Sequence, residues 1–219
     1  MSKIQLSFIK IFALLVSFTC CVFTAGAQQS KHYNLVQLLK DNKLVTTPGQ
    51  QTQVIDRQKQ AISTKGIVWL KGVDFKQGTI EVDLRGKDVF LQSFLGIAFH
   101  APDTATYDVV YFRPFNFRHA DTLRRKWSVQ YMSIPDYDYV RLRKEHPLVY
   151  ENAVDPVPNP NDWFHATIVV KDDWITIYVD HSEKASLKVK LLNNRKDGMI
   201  GLWTSPPLSD DFANLTLTQ

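Results

Sequence analysis

The sequence predicts an all-β protein, an antiparallel sandwich or barrel, on three observations. Beyond residue 50 the apolar residues recur with period two rather than 3.6, in segments of strand length. These segments are rich in Val, Ile, Thr and aromatics, and Gly, Asp, Asn or Pro breaks them apart. A chain of 219 residues, 44% of them hydrophobic, is also long enough to bury one ordinary core, and no long helical pattern competes for it.

Element by element, the alternation predicts strands over 53–58, 66–71, 79–85, 94–100, 107–113, 127–132, 164–170, 175–180, 187–191, 199–203 and 212–218. Ahead of them, 28–50 is a polar segment with one short helix at Tyr33-Asn34-Leu35-Val36-Gln37-Leu38-Leu39, capped by Asn34, and a turn at Pro48-Gly49. The strand-bearing domain is placed at 51–219. Between 133 and 162 the rhythm stops, and Pro135, Pro147, Pro156, Pro158 and Pro160 punctuate the stretch. Within it, 138–146 predicts one or two helical turns halted by Pro147. A loop of this length in a compact β domain is usually functional or mobile. This one carries Tyr137, Tyr139, Arg141, Arg143, Tyr150 and Glu151, a mixture suited to hydroxylated ligands. It reads equally as a flap closing one end of the sandwich.

Residues 1–27 predict a secretory signal peptide, cleaved after Ala27. Lys3 and Lys10 form its positive end, 11–23 is uncharged and apolar, and Ala25-Gly26-Ala27 supplies small residues before the polar Gln28-Gln29-Ser30. The apolar run is too short for a membrane span, so the mature chain is expected to be secreted or periplasmic, with no membrane span. Both cysteines, Cys20 and Cys21, leave with it, which excludes disulfides, thiol nucleophiles and Cys-ligated zinc in the mature chain. Loss of Lys3 and Lys10 also halves the net charge of +4, too little to mark a nucleic-acid partner.

Four segments resemble the concanavalin A-like lectin/glucanase superfamily. They are Asp74-Phe75-Lys76-Gln77-Gly78-Thr79-Ile80-Glu81-Val82-Asp83-Leu84; Leu95-Gly96-Ile97-Ala98-Phe99 with the YDVVYFRP stretch at 107–114; the W…ATIVVKDDWITIYVD run at 163–180; and Gly198-Met199-Ile200-Gly201-Leu202-Trp203 with Phe212-Ala213-Asn214-Leu215-Thr216-Leu217. The resemblance spans roughly 50–219. Arg113-Pro114, Arg124-Arg125, Gln130-Tyr131, Pro135 and Tyr150-Glu151 read like the bacterial 3-keto-disaccharide hydrolase and family-16 glycosidase-like subgroup. It implies an antiparallel two-sheet jelly-roll sandwich and a glycan or small saccharide as partner.

The candidate chemistry follows from phase. On 79–85, alternation puts Ile80, Val82 and Leu84 on one face and Glu81, Asp83 and Arg85 on the other. The superfamily's glycosidases carry E-x-D-x-E or E-x-D-x-x-E, with two glutamates as nucleophile and acid/base. Here Arg85 or Gly86 occupies the place of the second Glu. Glu81 and Glu151 are the candidate catalytic carboxylates, and Asp83, His100, Tyr111, Arg113, Arg124, Gln130, Tyr131 and Tyr150 the candidate ligand contacts. The expected site combines the outward face of the Glu81/Asp83 strand, the 107–113 strand and the 133–162 loop. The five tryptophans, Trp69, Trp127, Trp163, Trp174 and Trp203, are expected chiefly in the core. The six histidines have no metal-ligand spacing. Asp210-Asp211 offers oxygen ligands for a structural Ca²⁺ of the sort some superfamily members carry, and suits a solvated turn as well. No other cofactor is implied. Three functions stay open: a secreted carbohydrate-binding jelly roll, favoured by the missing second Glu; a glycosidase-like enzyme using Glu81, Glu151, Tyr131 and Arg113; and a structural or adhesion domain.

Overall fold

A computed structural model describes residues 28–46 and 50–219. The expected signal peptide and the Pro48-Gly49 turn lie outside the described residues. In chain order the elements are β1 (Ser30–Tyr33), α1 (Leu35–Lys40), β2 (Leu44–Thr46), β3 (Thr52–Asp56), β4 (Ala61–Thr64), β5 (Val68–Asp74), β6 (Gly78–Arg85), β7 (Leu95–Ala101) and β8 (Tyr107–Phe112). There follow α2 (Pro114–Phe117), α3 (Thr122–Arg125), β9 (Val129–Ile134), α4 (Tyr139–Glu145), β10 (Glu151–Asn152), β11 (Phe164–Lys171), β12 (Trp174–Val179), β13 (Leu187–Lys190), β14 (Met199–Thr204) and β15 (Asp210–Thr218).

The strands form two antiparallel sheets, the all-β jelly-roll sandwich that the sequence predicts. Sheet A runs β13-β12-β11-β6-β15-β4-β3, with β1 also paired to β15. Sheet B runs β10-β9-β8-β7-β14-β5-β2. The nine-residue β15 shares one edge between two partners: Asp210 to Phe212 pair with β4, and Leu215 to Thr218 with β1.

All eleven predicted strands occur, with ends displaced by at most three residues. Those not predicted lack a two-residue rhythm to read. Strand β10 has two residues and β2 three, and β4 is buried along its whole length. Both predicted helical segments form. Asn34 caps α1 by accepting from the Gln37 amide, and Asp138 caps α4 by accepting from the Arg141 amide.

The inward faces meet in one apolar cluster containing Ile80, Val82, Leu84, Ile97, Phe99, Ile168, Val170, Ile175, Ile177, Val179, Ile200 and Leu202. Fully burying such side chains contributes about 1.5–3 kcal/mol each. None of the five tryptophans belongs to this cluster; Trp69 and Trp203 are buried as expected, but Trp127, Trp163 and Trp174 are not. Trp69 and Trp203 lie in a second cluster on the outer face of sheet B, with Ala98, Val109, Tyr111 and Met132. Trp163 stacks under Lys59 and Arg85, Trp127 under Arg143, and Trp174 is exposed. The inner layer is filled by branched aliphatics and Phe; Trp69 packs edge-on against Tyr107 in the outer cluster, and Trp127, Trp163 and Trp174 each present a face to a cation. The 133–162 stretch is ordered, and its last part places Val154 in the inter-sheet core on the way to β11. It returns along the outer face of sheet B, where Leu142 is buried and Tyr137 and Tyr150 pack, and adds β10 to the edge strand β9.

Candidate functional site

The outer face of sheet B is organised by register. Trp203 on β14 is paired with Gly96 on β7, Gly96 with Tyr111 on β8, Tyr111 with Gln130 on β9, and Gln130 with Glu151 on β10. Paired residues project to the same face, so indole, glycine, phenol, amide and carboxylate form one row across five strands. Two residues along, a second row contains Trp69, Gly201, Ala98, Val109 and Met132. One row is polar at one end, and the other is apolar throughout.

Gly96 keeps the centre of the polar row low. A Cβ there would sit 2.0 Å from the Val110 carbonyl oxygen and 2.6 Å from the Tyr111 Cα, so only glycine permits this approach of β7 and β8. The rings on either side, Tyr111 and Trp203, come to 5.0 Å between centroids. Above this floor is a cavity of about 400 Å³, walled by Phe94, Tyr111, Arg113, Met132, Arg143 and Trp203. Leu91, Asp138 and Tyr139 also line it.

Charge enters from β8 and α4. Period two puts Arg113 in phase with Tyr111, and Pro114 ends the strand immediately after it by opening α2. The Arg113 guanidinium lies over the Tyr111 ring at 4.6 Å. It donates to the Tyr111 hydroxyl and to Gln130 Oε1, and to the Trp127 carbonyl at 2.8 Å. Tyr111 in turn donates to Gln130 Oε1 at 2.6 Å. Arg143 from α4 donates from Nε and Nη2 to both oxygens of Glu151, at 2.9–3.2 Å. Arg113 Nη1 lies 3.6 Å from the same carboxylate. Glu151 is thus a buried anion between two guanidinium groups, the fork geometry arginine is built for. Burial pushes the Tyr111 phenol up to about 12, against the opposing pull of Arg113 and Arg143, so it stays a neutral donor. Burial also lowers the Arg113 pKa, with Tyr111 and Glu151 acting the other way.

The structure therefore brings together Tyr111, Arg113, Gln130 and Glu151 from the predicted set. Tyr150 borders them, its ring against Tyr131 and His146. Arg124 is peripheral, stacked on Phe90 and Trp127. Tyr131 is one residue out of phase and points into the inter-sheet core, where its hydroxyl donates to Asp108 at 2.9 Å. His100 is buried toward the opposite end of β7, 3.3 Å from Asp108 and 2.6 Å from the Lys76 carbonyl oxygen.

Glu81 and Asp83 correct the expectation of a single site. They lie on β6, in sheet A, facing away from sheet B, so β6 and β8 cannot contribute to one face. Asp83 accepts from Lys59 Nζ, Asn214 Nδ2 and the His165 ring at 2.7–2.9 Å. Burial alone would raise its pKa, but these three partners outweigh burial and hold it well below the usual carboxylate range. Arg85 pairs with Asp211 at 2.8 Å. This is an ion-pair ladder on a solvated sheet.

Asp210 and Asp211 do not fit a shared cation either. Consecutive strand residues face opposite ways. Asp211 is committed to Arg85, while Asp210 turns inward to Ser93 at 2.8 Å, with Lys87 at 3.8 Å. Burial pushes the Asp210 carboxyl up to about 6, with help from Asp211 and opposition from Ser93 and Lys87. Among the described residues no group of three or more His, Cys, Asp or Glu is placed to hold a metal.

Sequence reasoning did not single out Trp203, Phe94 or Gly96 as contacts, and placed Arg143 only among the polar residues of the 133–162 loop. The phase of β14 and β7 was legible, but pairing Trp203 with Gly96 requires the order of strands in the sheet. The pairing of Arg143 with Glu151 was not legible, because it depends on where α4 docks.

No family model matches this chain, and no curated protein matches it. Among solved structures, a Bacillus subtilis protein of unknown function with a galectin-like fold is similar at TM-score 0.55 and 12% identity, over 89% of this chain and 96% of its own. The carbohydrate-binding module CBM66 from Bacillus subtilis is similar at TM-score 0.50 and 14% identity, over 77% of this chain and 95% of its own. At such identities the likeness is one of fold. The chain has the galectin-like, concanavalin A-like sandwich fold.

Proposed function

We propose that the protein is an exported carbohydrate-binding jelly roll, with its sugar site in the cavity on the outer face of sheet B. The row from Trp203 to Glu151 carries this reading. It sets an indole and a phenol beside a glycine gap, with fixed guanidinium donors at one end, which is what a sugar ring needs: an apolar face to stack on and directional partners for its hydroxyls. Similarity of fold to a carbohydrate-binding module supports it, and the residues at 1–27 support export.

Binding is favoured over hydrolysis by where the carboxylates are. Retaining glycosidases need two carboxyls about 5–5.5 Å apart. Glu81 is on the other sheet, both oxygens of Glu151 are taken by Arg143, and Asp138 caps α4. In this reading the chain is a non-catalytic relative of the 3-keto-disaccharide hydrolase and family-16 glycosidase-like domains.

Calorimetric titration against a panel of di- to tetrasaccharides, with a parallel assay for released sugar, tests this. Binding by the wild type without turnover is expected, weakened at least tenfold in Trp203→Ala and in Tyr139→Ala, whose side chain is half exposed at the cavity. Sugar release by the wild type, or no binding across the panel, would overturn the proposal.

A further inference from the structure

The charges under the cavity do not balance, and this indicates what kind of sugar it takes. Two guanidinium groups, Arg113 and Arg143, meet a single carboxylate, Glu151. Arg113 and Glu151 are 4% and 3% exposed, so their pair is shielded from solvent, while Arg143, with 31% of its side chain exposed, presents the surplus charge where a ligand in the cavity can reach it. The other carboxylate lining the cavity, Asp138, accepts from the Arg141 amide and forms an ion pair with neither arginine.

The hydrogen-bond count points the same way. Arg143 holds Glu151 through Nε and Nη2, leaving Nη1 with no protein partner among the described residues. Gln130 uses its oxygen to accept from Tyr111 and Arg113, while its Nε2 is buried without a partner. Spare capacity in the polar row is therefore donor capacity. The buried acceptors in it, Gln130 Oε1 and the Glu151 carboxylate, are already taken. A neutral sugar hydroxyl can serve as an acceptor but brings no compensating charge. A carboxylate brings charge, lone pairs on two oxygens and a planar shape that a guanidinium fork matches.

We infer that the ligand of this cavity is an acidic sugar, a uronic acid or similarly carboxylated glycan, whose carboxylate is received at the Arg143–Arg113 end while its ring lies toward Tyr111 and Trp203. The inference rests on the reading of the cavity as a sugar site and adds the chemical class of the sugar.

The test uses matched pairs: oligosaccharides of glucuronate, galacturonate and mannuronate, each beside its carboxyl-reduced neutral counterpart of the same linkage and length, and a sulfated neutral oligosaccharide. With the wild-type protein, at least one uronate is expected to bind tenfold or more tightly than its reduced partner, with an advantage that shrinks as salt rises. Arg143→Gln should bring the pair to equal affinity, and Arg143→Lys, which keeps the charge but not the fork, should retain part of the difference. Equal binding of acid and reduced sugar by the wild type overturns the inference and leaves sugar binding standing. Preference for the sulfated sugar over every uronate also overturns it. Failure of both members of every pair to bind removes the sugar reading and this inference together. The comparison on the wild type decides the matter even where a variant does not fold.

Discussion

The two outer faces of the sandwich obey the same alternation and are opposite in chemistry. On sheet A, the middle strand β6 carries Glu81, Asp83 and Arg85, and each partner they find is a neighbouring side chain: Lys59, His165 and Asn214 for Asp83, and Asp211 for Arg85. On sheet B, the middle strands β7 and β8 place Gly96 beside Tyr111, and the charged groups come from the end of β8, a loop helix and an edge strand. Among the described residues, sheet A pairs its charged groups with neighbouring side chains, leaving only the His165 Nε2 buried without a hydrogen bond on the Asp83 face, and no element covers it. Sheet B is extended at its edge by β10 and overlaid there by α4, so Arg113 and Glu151 become buried and the donors of the row exceed its acceptors. A row of acids on a strand does not by itself make a site; what lies over the row decides that.

The comparison would break most visibly at Glu151. Replacing it by Gln leaves Arg113 and Arg143 without their anion, and loss of one partner from a buried pair costs about 3–5 kcal/mol. Urea denaturation of Glu151→Gln should show a loss of that order. A variant as stable as the parent would mean the carboxylate is not the counter-ion the geometry makes it.

The next effect concerns two aspartates of sheet A that respond to acid in opposite senses. Asp210 is raised to about 6, so the folded protein takes up a proton before the unfolded chain does, and its contribution to stability grows as pH falls from about 6 toward 4. That is up to about 3 kcal/mol at about 1.36 kcal/mol per pH unit. Asp83 is held low, so its contribution is full above about pH 4 and is lost as pH falls further. A stability profile with a maximum near pH 4 to 5 is expected from these two groups. Asp210→Asn should flatten the limb between about pH 4 and 6 and leave the acid limb in place, and persistence of the slope in that variant would contradict the assignment.

Smaller effects belong to the solvated ladder. Asp83→Asn should cost about 1–2 kcal/mol, the value of charged hydrogen bonds that are partly open to water. Glu81→Gln should change stability by less than about 0.5 kcal/mol and leave saccharide binding untouched, since Glu81 is on the far side of the sandwich. Loss of binding in Glu81→Gln would place the functional face on sheet A instead of sheet B.

Much of this protein was legible in its residues. Period-two spacing identified eleven strands, and the same spacing put Ile80, Val82 and Leu84 together on the face that is buried, because a strand that buries one face must alternate. Asn34 and Asp138 marked the starts of two helices, because capping is a local hydrogen bond three residues long. Tyr111 and Arg113 were in phase for the same local reason.

Which strands lie beside one another is a different kind of information. Glu81 and Tyr111 looked like parts of one site because both project outward, yet outward has opposite directions on two sheets, and the alternation along a single strand is blind to which sheet it joins. Trp203, Gly96, Tyr111, Gln130 and Glu151 are separated by up to 107 residues in the chain and adjacent only through strand order and register. The pairing of Arg143 with Glu151 depends likewise on where a short helix docks. Local pattern determined the elements, their buried faces and their caps. Tertiary pairing alone decided which side chains share a face, which charges lose their water, and hence where a ligand can bind.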